Sequence, residues 1–280
     1  MNPLQAKSYG KLNLSLNVFK QCIKTNLHPI ESHFQLISLH DTITITPTTQ
    51  KKNLYTITYS GIPIPTDSNN IIGRIITTLG PELNYSYTIH INKTIPLGSG
   101  MGGASSNAAI CLKAINTFEK KEWSYQKLIE ISKLFGSDIP FFLKGGSQKV
   151  SGFGDILTPK SPIKNSFYTI IYPRIECSTK AIYNHFDTMI KQHEKKIKNA
   201  CNNLLPVVLN YHQDMSTIYN HLSKETKHPI QLTGSGSTFF IKFKSKEASI
   251  KLKNTLQKRF PNFYIQAIEA IYDEHPLTLR

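Results

Sequence analysis

The sequence predicts an α+β protein built from two packed units. At 280 residues the chain is long for a single compact core. Apolar residues alternate with polar ones in some segments, as in half-buried strands, and recur every three to four positions in others, as in helices. The order strand, helix, strand over 238–271 is typical of an α+β sandwich. We therefore expect one domain over 1–162 and a second over 163–280.

The first unit opens with strands and then alternates them with helices. Alternation of apolar and polar residues predicts strands at 11–19, 42–45, 54–59 and 87–91. A helix is expected over 70–79, where Gly80-Pro81 ends it. A second helix begins after Ser124, a residue typical of helix N-caps. Glycines between 145 and 154 indicate a hairpin-like region.

The second unit is predicted to begin with a strand at 167–172, followed by a long helical region. Its last part combines an apolar, β-rich segment at 238–243 with a helix and a final strand at 263–271. The helix is indicated by apolar residues at helical spacing: Ala248, Leu252, Leu256 and Phe260. The sequence has no internal repeat, heptad run or low-complexity tract, which argues against filament and solenoid architectures.

The most informative segment is the glycine-rich stretch 96–107, which reads PLGSGMGGASSN between a predicted strand and a predicted helix. Glycines let backbone N–H groups turn inward and approach an anion closely. The first turn of the following helix adds unpaired N–H donors and the positive end of a dipole. We interpret the stretch as a phosphate-binding loop, in which Ser105, Ser106 and Asn107 cap the start of the helix.

Two common nucleotide-binding motifs fit this loop badly. Gly98 and Gly103 have Walker A spacing, but Ala104 stands where that motif requires a lysine. The glycines also satisfy the dinucleotide pattern G-x-G-x-x-G, whose acidic residue should end a second strand about 20 positions later. Glu119 instead lies in the charged segment at the end of the predicted helix. The hypothesis of a nicotinamide-dependent oxidoreductase therefore rests on the glycine pattern alone. An ordinary flexible turn is the remaining alternative.

The formal net charge of +15 at pH 7 suggests a nucleic-acid-binding protein. Nucleic-acid surfaces usually cluster basic residues on one face with aromatic residues between them. Here only Arg74, Arg174, Arg259 and Arg280 are arginines, and the lysines are scattered. A positive field also raises the local concentration of a polyanionic substrate such as a nucleotide. We expect no nucleic-acid partner and keep a basic nucleic-acid-binding protein as the alternative of another class.

Cysteine spacing and hydropathy indicate the cellular environment in which we expect the protein. The four cysteines are widely separated and form no C-x-x-C pair or His–Cys cluster, which indicates neither a zinc site nor a disulfide framework. The first twenty residues lack the long apolar core of a signal peptide. No run approaches the roughly 18 apolar residues needed to span a bilayer. We expect reduced thiols, no membrane partner and a cytoplasmic location.

Three short segments contain polar groups that folding alone does not require. Lys11 and Asn13 share one face of an early strand, which is either part of a site or simply solvent-exposed. Asp138, with a proline two residues later, is either a catalytic carboxylate or a helix N-cap. The second glycine turn, 232–237, is either part of a site or only a connection between strands.

Together these segments resemble the three motifs of the GHMP kinases, a family named for galactokinase, homoserine kinase, mevalonate kinase and phosphomevalonate kinase. Residues 11–16, 96–109 and 232–237 resemble the first, second and third motif in that order, so the resemblance runs through nearly the whole chain. GKLNL at 10–14, GSDIPFFL at 136–143 and GFGDILTP at 152–159 resemble one branch of the family. That branch phosphorylates an alcohol carried by cytidine diphosphate in the non-mevalonate isoprenoid pathway.

The resemblance implies a two-domain GHMP kinase fold, with an S5-like N-terminal α/β domain, a ferredoxin-like C-terminal domain and the reactants between them. It implies that Asp138 is the general base for the acceptor's C2 hydroxyl, and that Lys11 orients Asp138 and stabilises negative charge. ATP and Mg²⁺ are the implied cofactors, and a monomer or homodimer is expected. The implied ATP-binding residues are Pro96, Leu97, Gly98, Ser99, Gly100, Met101, Gly102, Gly103, Ala104, Ser105 and Ser106.

The implied substrate is a small-molecule cytidine diphosphate derivative. Its implied contacts are Asn13, His28, Tyr183, Thr233 and Gly234. His28 matches a histidine near the cytosine, and Tyr183 matches an aromatic residue that stacks on that base. Leu27 and Asn26 depart from the aromatic residue and the glycine that usually precede this histidine. A GHMP kinase with another acceptor, such as homoserine or a mevalonate-like alcohol, is therefore the alternative.

Overall fold

The computed structural model of the protein describes residues 2–49, 53–161, 165–198 and 200–272. Its strands form two sheets, one from the first half of the chain and one from the second. The boundary predicted between residues 162 and 163 lies outside the described residues. All four cysteines are free. None of the helices in the described ranges combines the length and the apolar character needed to cross a bilayer.

The first sheet is organised around one long strand. Its members are β1 (Leu4–Val18), β2 (Ile30–Thr48), β3 (Tyr55–Gly61), β4 (Ser86–Lys93), β5 (Ser147–Ser151) and β6 (Ile156–Pro159). The strand order is β3-β4-β2-β5-β6, and β1 pairs with β2 over most of its length. Among the strand pairs formed by the described residues of this sheet, only β3 and β4 run parallel. The turn end of the β1–β2 hairpin reaches the second half of the molecule, where Leu16 and Val18 pack into the apolar core.

The helices of the first half are α1 (Ile71–Leu79), α2 (Gly103–Phe118), α3 (Tyr125–Lys133) and α4 (Ile139–Lys144), with a 3-10 turn at Gly80–Glu82. Helix α2 is the central one, because it packs against β1, β2 and the other three helices. The predicted cap at Ser124 is confirmed, and Asn70 caps α1 in the same way. The side chain of Asn70 accepts a hydrogen bond from the backbone N–H of Ile72, and that of Ser124 accepts one from Lys127.

The largest difference from the predicted elements is the length of β2. The alternation at 42–45 indicates only its end, whereas the strand starts at Ile30. Its first half is buried on both faces, including the polar side chains of Ser32, His33 and Gln35. A strand that is buried on both faces has no apolar and polar alternation to be read from the sequence.

The second sheet contains β7 (Phe167–Tyr172), β8 (Gln231–Leu232), β9 (Phe239–Phe243) and β10 (Tyr264–Glu269) in the order β10-β7-β9-β8. All its pairings are antiparallel. Helices α5 (Thr179–Lys198), α6 (Leu205–Tyr211) and α7 (Gln213–Glu225) connect β7 to β8, and α8 (Lys246–Arg259) connects β9 to β10. The strands predicted at 167–172 and 238–243, the final strand and the helix between them are confirmed.

An apolar cluster joins the two halves of the molecule. It consists of Leu12, Ile37, Leu39, Ile95, Met101, Tyr168, Ile170, Phe240, Ile268 and Ala270. Leu12 belongs to this cluster, so the alternation of side chains along β1 directs Lys11 and Asn13 to the opposite face. These two polar residues are buried rather than solvent-exposed. The polar face of this strand is thus part of an interior site.

Candidate active site

A cleft of about 850 Å³ lies where the glycine loop meets the second half of β1, the residues just before α4 and the first residues of α5. The residues that line it come from both halves of the molecule. They include Lys11, Asn13, Asn26, Leu27, His28, Lys93, Pro96, Leu97, Gly98, Ser99, Gly100, Gly102, Gly103, Ala104, Ser105, Asp138, Tyr183 and Gly234. Most of the predicted site residues are therefore brought together. Met101, Ser106 and Thr233 are not among them, because each of these residues is fully buried.

Lys11 and Asp138 form an ion pair at the wall of the cleft. The Lys11 Nζ atom lies 3.5 Å from Asp138 Oδ2 and 2.6 Å from Asn13 Oδ1. It also lies 4.8 Å from the centre of the Phe34 ring, within the range of a cation–π interaction. Burial lowers the pKa of Lys11, and the Asp138 carboxylate opposes this shift. The lysine is thus held in place by three neighbours.

Asp138 occupies the N-cap position of α4 but does not cap the helix. Its side chain makes no hydrogen bond to the first turn, and its backbone has helical dihedral angles instead of the extended ones of a typical N-cap. Pro140 lies in the first turn, as predicted. The prediction that Asp138 stands at the start of a helix is therefore correct. The alternative that its side chain caps this helix is wrong. The carboxylate is left free to face the cleft.

The three motifs are joined by backbone and side-chain hydrogen bonds. The backbone N–H of Lys11 donates to the carbonyl of Met101 at 2.9 Å. The Thr233 hydroxyl accepts a hydrogen bond from the backbone N–H of Asn13 at 3.1 Å, and it lies 3.3 Å from the Gly100 carbonyl. Because Thr233 has no exposed surface, it positions Asn13 and the glycine loop and does not offer the predicted direct contact to a substrate. Gly234, its neighbour, lines the cleft.

The glycine loop has the backbone geometry of an anion site. Gly98, Gly100 and Gly102 all have positive φ angles, between 64° and 75°, which glycine adopts at little cost. Helix α2 begins at Gly103, and no side chain caps it. The N–H groups of its first turn thus remain available, with the positive end of the helix dipole, beside the cleft.

The capping role predicted for Ser105, Ser106 and Asn107 is wrong. All three lie inside α2, whose N-cap is Gly102. The Ser106 hydroxyl accepts a hydrogen bond from Ser8 at 2.8 Å, and Asn107 donates to a buried carboxylate, so both side chains are used in packing the helix onto the sheet. Only Ser105 lines the cleft.

Lys93 and Asp41 are site residues that the sequence did not reveal. Lys93 ends β4, lines the cleft and forms a buried ion pair with Asp41, with 2.6 Å between Nζ and Oδ2. Burial lowers the pKa of Lys93, and the Asp41 charge opposes this shift. One signal was present: Lys93 falls on the same face of β4 as the buried Ile89 and Ile91.

His28 and Tyr183 meet at the far end of the cleft. Their rings are 5.0 Å apart in an edge-to-face arrangement. The His28 Nε2 atom lies 2.9 Å from Asp187 Oδ1 on α5, which fixes the histidine ring against that helix. Burial and the Asp138 charge raise the pKa of Tyr183 to about 12, so this tyrosine stays neutral. Leu27 is half exposed beside them.

Comparison with known proteins identifies the family of this chain. The model of the GHMP kinase N-terminal domain matches residues 70–146. A 4-diphosphocytidyl-2-C-methyl-D-erythritol kinase from Buchnera aphidicola subsp. Schizaphis graminum is 32% identical to the chain, over 94% of the chain and 92% of the relative. The chain belongs to the 4-diphosphocytidyl-2-C-methyl-D-erythritol kinase family of GHMP kinases. A kinase of the same name from Pelagibacter ubique is 33% identical, over 94% of the chain and 98% of the relative.

Solved structures of GHMP kinases share the fold. A crystal structure of 4-(cytidine 5'-diphospho)-2C-methyl-D-erythritol kinase aligns with a TM-score of 0.75 at 20% identity, covering 95% of this chain and 99% of that one. Homoserine kinase from Cytophaga hutchinsonii aligns with a TM-score of 0.67 at 17% identity, covering 98% and 96%. The predicted GHMP kinase fold is confirmed at this level.

Proposed function

We propose that the protein transfers the γ-phosphoryl group of ATP to the C2 hydroxyl of 4-diphosphocytidyl-2-C-methyl-D-erythritol. The main support is one arrangement: Lys11 lies against Gly102 of the glycine loop, and its partner Asp138 lies near enough to Tyr183 to raise the pKa of that tyrosine. A triphosphate on the loop and a pyrimidine at the far end would place an acceptor hydroxyl near the Asp138 carboxylate. Membership of the kinase family supports the same reaction.

In this mechanism Asp138 accepts the proton of the acceptor hydroxyl while its oxygen attacks the γ-phosphorus. The bond to the β,γ-bridging oxygen breaks, and ADP leaves. Lys11 holds the carboxylate and stabilises charge that develops on the transferred group. Phosphoryl transfer requires mainly alignment and charge neutralisation, so this small set of groups is sufficient.

The glycine loop is assigned to the phosphates of ATP. Backbone N–H groups between Gly98 and Ser105, together with the uncapped start of α2, supply donors and positive potential there. They take over part of the role of the lysine that Ala104 replaces. The buried Met101 and Ser106 support the loop from within and make no direct contact.

Mg²⁺ fits the same end of the cleft. This ion usually binds through one or two carboxylates together with substrate phosphates, and not in a cage made only of protein ligands. Of the oxygen groups at the cleft we assign the Ser105 hydroxyl to it, with the phosphates of ATP as its other main ligands, and Asp138 is kept for the acceptor. When bound, Mg²⁺ would neutralise charge on the β- and γ-phosphates.

The acceptor is assigned to the other end. Tyr183 presents an aromatic surface on which a cytosine can stack, and His28 is fixed beside it by Asp187. Asn13, which bonds to Lys11, borders the path between this end and the carboxylate. Asn26 takes the left-handed conformation, φ 53°, that the usual glycine would adopt, so the loop keeps its shape without that glycine.

We also propose that the two sheets are the cores of the two GHMP kinase domains. The second has the element order β-α-β-β-α-β and the strand order β10-β7-β9-β8, which supports a ferredoxin-like domain that begins near residue 163. The first would be the S5-like domain. A single chain already contains both ends of the cleft, which is compatible with a monomer or a homodimer.

The test is an acceptor panel. Purified protein with Mg²⁺ and ATP is given 4-diphosphocytidyl-2-C-methyl-D-erythritol, homoserine or mevalonate, and ADP release and the phosphorus NMR spectrum of each product are recorded. Phosphorylation of the cytidine substrate at C2, with little turnover of the others, is expected. Preferred turnover of homoserine or mevalonate would assign another acceptor, and salt-sensitive nucleic-acid binding without any turnover would contradict the kinase proposal.

A further inference from the structure

Behind the glycine loop lies a buried polar cluster that the phosphoryl-transfer mechanism does not use. Its centre is the carboxylate of Asp41, on β2, which has no exposed surface. Oδ1 accepts hydrogen bonds from the backbone N–H groups of Thr94 and Ile95, both at 2.8 Å. Oδ2 accepts from Lys93 Nζ at 2.6 Å and from Asn107 Nδ2 at 3.1 Å. One side chain thus holds four donors.

These donors belong to the two ends of the glycine loop. Residues 93–95 are the end of β4 and the start of the loop, and Asn107 lies in α2 just after it. A fully bonded carboxylate fixes all its partners relative to one another, since each oxygen accepts along defined directions. The distance between the two ends of the loop is therefore set by Asp41.

Lys93 couples the cluster to the first residue of α2. A Cβ atom added to Gly103 would lie 2.7 Å from Lys93 Nζ, so the ammonium group rests directly against the Gly103 backbone. Lys93 also lines the cleft, whereas Asp41 does not. Movement of the ammonium group would shift the N–H groups that face the proposed phosphate site.

We infer that Asp41 is a positioning residue for the ATP site, which sets the geometry of the glycine loop and of the α2 N-terminus through Lys93, Asn107 and the backbone at 94–95. This inference rests on the proposed function. It assigns to Asp41 an effect on nucleotide affinity, and not on the acceptor, whose end of the cleft is built from other elements.

The chain contains a matched control at the other end of α2. Glu119, also buried, accepts hydrogen bonds from the backbone N–H groups of Asn84 and Tyr85 and from the Tyr87 hydroxyl. It ties the C-terminal end of α2 to the start of β4, far along the helix from the loop. Loss of either carboxylate should destabilise the fold, but only loss of Asp41 should alter the loop.

The experiment measures binding of the non-hydrolysable analogue adenosine 5'-(β,γ-imido)triphosphate with Mg²⁺ by calorimetry, and the KM values of ATP and of the cytidine substrate. Asp41→Asn should weaken analogue binding about tenfold or more and raise the KM of ATP, because misplacement of aligned donors is costly. The KM of the cytidine substrate should stay within about twofold. Glu119→Gln should lower the unfolding temperature and leave analogue affinity unchanged.

A double variant keeps the test decisive if Asp41→Asn does not fold. The new amide would point its NH₂ group at the Lys93 ammonium, so Lys93→Met is added to remove that conflict. Asn107 Oδ1 has no hydrogen-bond partner in the structure, and after an amide flip it can accept from the NH₂ group introduced at position 41. The pair Asp41→Asn with Lys93→Met should therefore fold, but it lacks the ammonium group that rests against Gly103, so it should still bind the analogue about tenfold or more weakly than the wild type.

Two results overturn the positioning role while leaving the kinase proposal intact: wild-type analogue affinity in a folded Asp41→Asn protein, or wild-type analogue affinity in the folded double variant. If the wild-type protein itself binds no analogue, the ATP site and this inference are both wrong. Equal increases in the KM of ATP and of the cytidine substrate would also contradict it, because they indicate a general disturbance of the fold.

Discussion

The Lys11 ammonium lies 3.5 Å from the Asp138 carboxylate, and the carboxylate is the more exposed of the two groups. The side chain of Lys11 is 4% exposed, against 30% for Asp138. Lys11 is held by Asn13 and the face of Phe34, so its position does not depend on Asp138. A fixed, buried cation beside an accessible carboxylate is the arrangement expected of a base that is oriented before the substrate arrives.

Replacement of Asp138 by asparagine should abolish most turnover without weakening ATP binding. The amide keeps the size of the carboxylate but cannot take the proton of the acceptor, and loss of a general base typically costs about 10²–10⁴ in rate. Steady-state kinetics should show this loss in kcat, with the KM of ATP within about threefold.

The control is Asp155→Asn. Asp155 pairs with Lys133 at 3.0 Å, and both side chains are more than a third exposed and lie outside the cleft lining. Its loss should leave kcat unchanged. Wild-type turnover in Asp138→Asn would remove the residue from the mechanism, and equal losses in both variants would indicate a less specific effect of charge.

Most of the elements that short, local sequence patterns predict are present in the structure. The strand at 167–172 and the cap at Ser124 depend on alternation and on one side chain, and both are found as predicted. The first half of β2 was missed because it is buried on both faces. The sequence predicted the position of Asp138 at the start of α4. It could not predict that the side chain leaves the helix uncapped, since the backbone dihedral angles of Asp138 depend on the packing around α4.

Long-range partners explain the rest of the difference. Asp41 and Lys93 are separated by most of two strands and a helix, and no spacing rule connects them. Thr233 was predicted as a substrate contact because its motif is at the site, yet the tertiary fold buries it against Asn13 and Gly100. A motif therefore predicted which segments meet, but not which side chains within them face the cleft.

Gly102→Val should weaken nucleotide binding. Gly102 has φ +73°, a conformation that costs other residues roughly 1–2 kcal/mol. A Cβ atom there would lie 2.7 Å from the Phe142 ring, so the loop would have to move. Calorimetry with the imido analogue of ATP should show a loss of affinity of about tenfold or more.

Gly136→Ala is the matched control for this change. Gly136 also borders the cleft, but its added Cβ atom would meet Ile139 at an ordinary 3.5 Å, and its φ is not positive. Analogue affinity should therefore be retained. The assignment of the loop to ATP would be wrong if Gly102→Val, folded, bound the analogue as tightly as the wild type.

Leu27→Tyr should tighten binding of the cytidine substrate. Leu27 is 54% exposed and lines the cleft together with Tyr183, at a position where the resemblance to the kinase branch implies an aromatic residue. Stacking of a base on an aromatic ring is worth about 1–3 kcal/mol, so the KM of the cytidine substrate should fall about fivefold or more.

The same substitution outside the cleft provides the comparison. Ile23 is 93% exposed in the same β1–β2 connection and does not line the cleft, so Ile23→Tyr should leave this KM unchanged. A lower KM in both variants would point to a general effect of loop hydrophobicity. No change in Leu27→Tyr would place the base elsewhere.

The buried His33 should lower the free energy of unfolding as the pH falls from about 6.5 to about 4. This histidine on β2 is buried, and its Nε2 atom lies 2.7 Å from the Ser147 hydroxyl. Burial, with smaller contributions from Lys160 and Lys242, lowers the pKa of His33 to about 4. The unfolded chain takes up this proton near pH 6.5. Between these two values the unfolded state binds more protons, so the free energy of unfolding falls as the pH falls through that window.

The loss from this group should reach roughly 3 kcal/mol at pH 4 and level off below it. Urea denaturation at several pH values between 7 and 4 measures it, with His33→Gln as the comparison. Glutamine can keep a hydrogen bond to Ser147 but does not titrate, so the stability of this variant should fall less steeply between pH 6.5 and 4, by the contribution of His33. Parallel pH profiles for the two proteins would show that His33 is not held neutral in the folded state, and that the acid sensitivity comes from other groups.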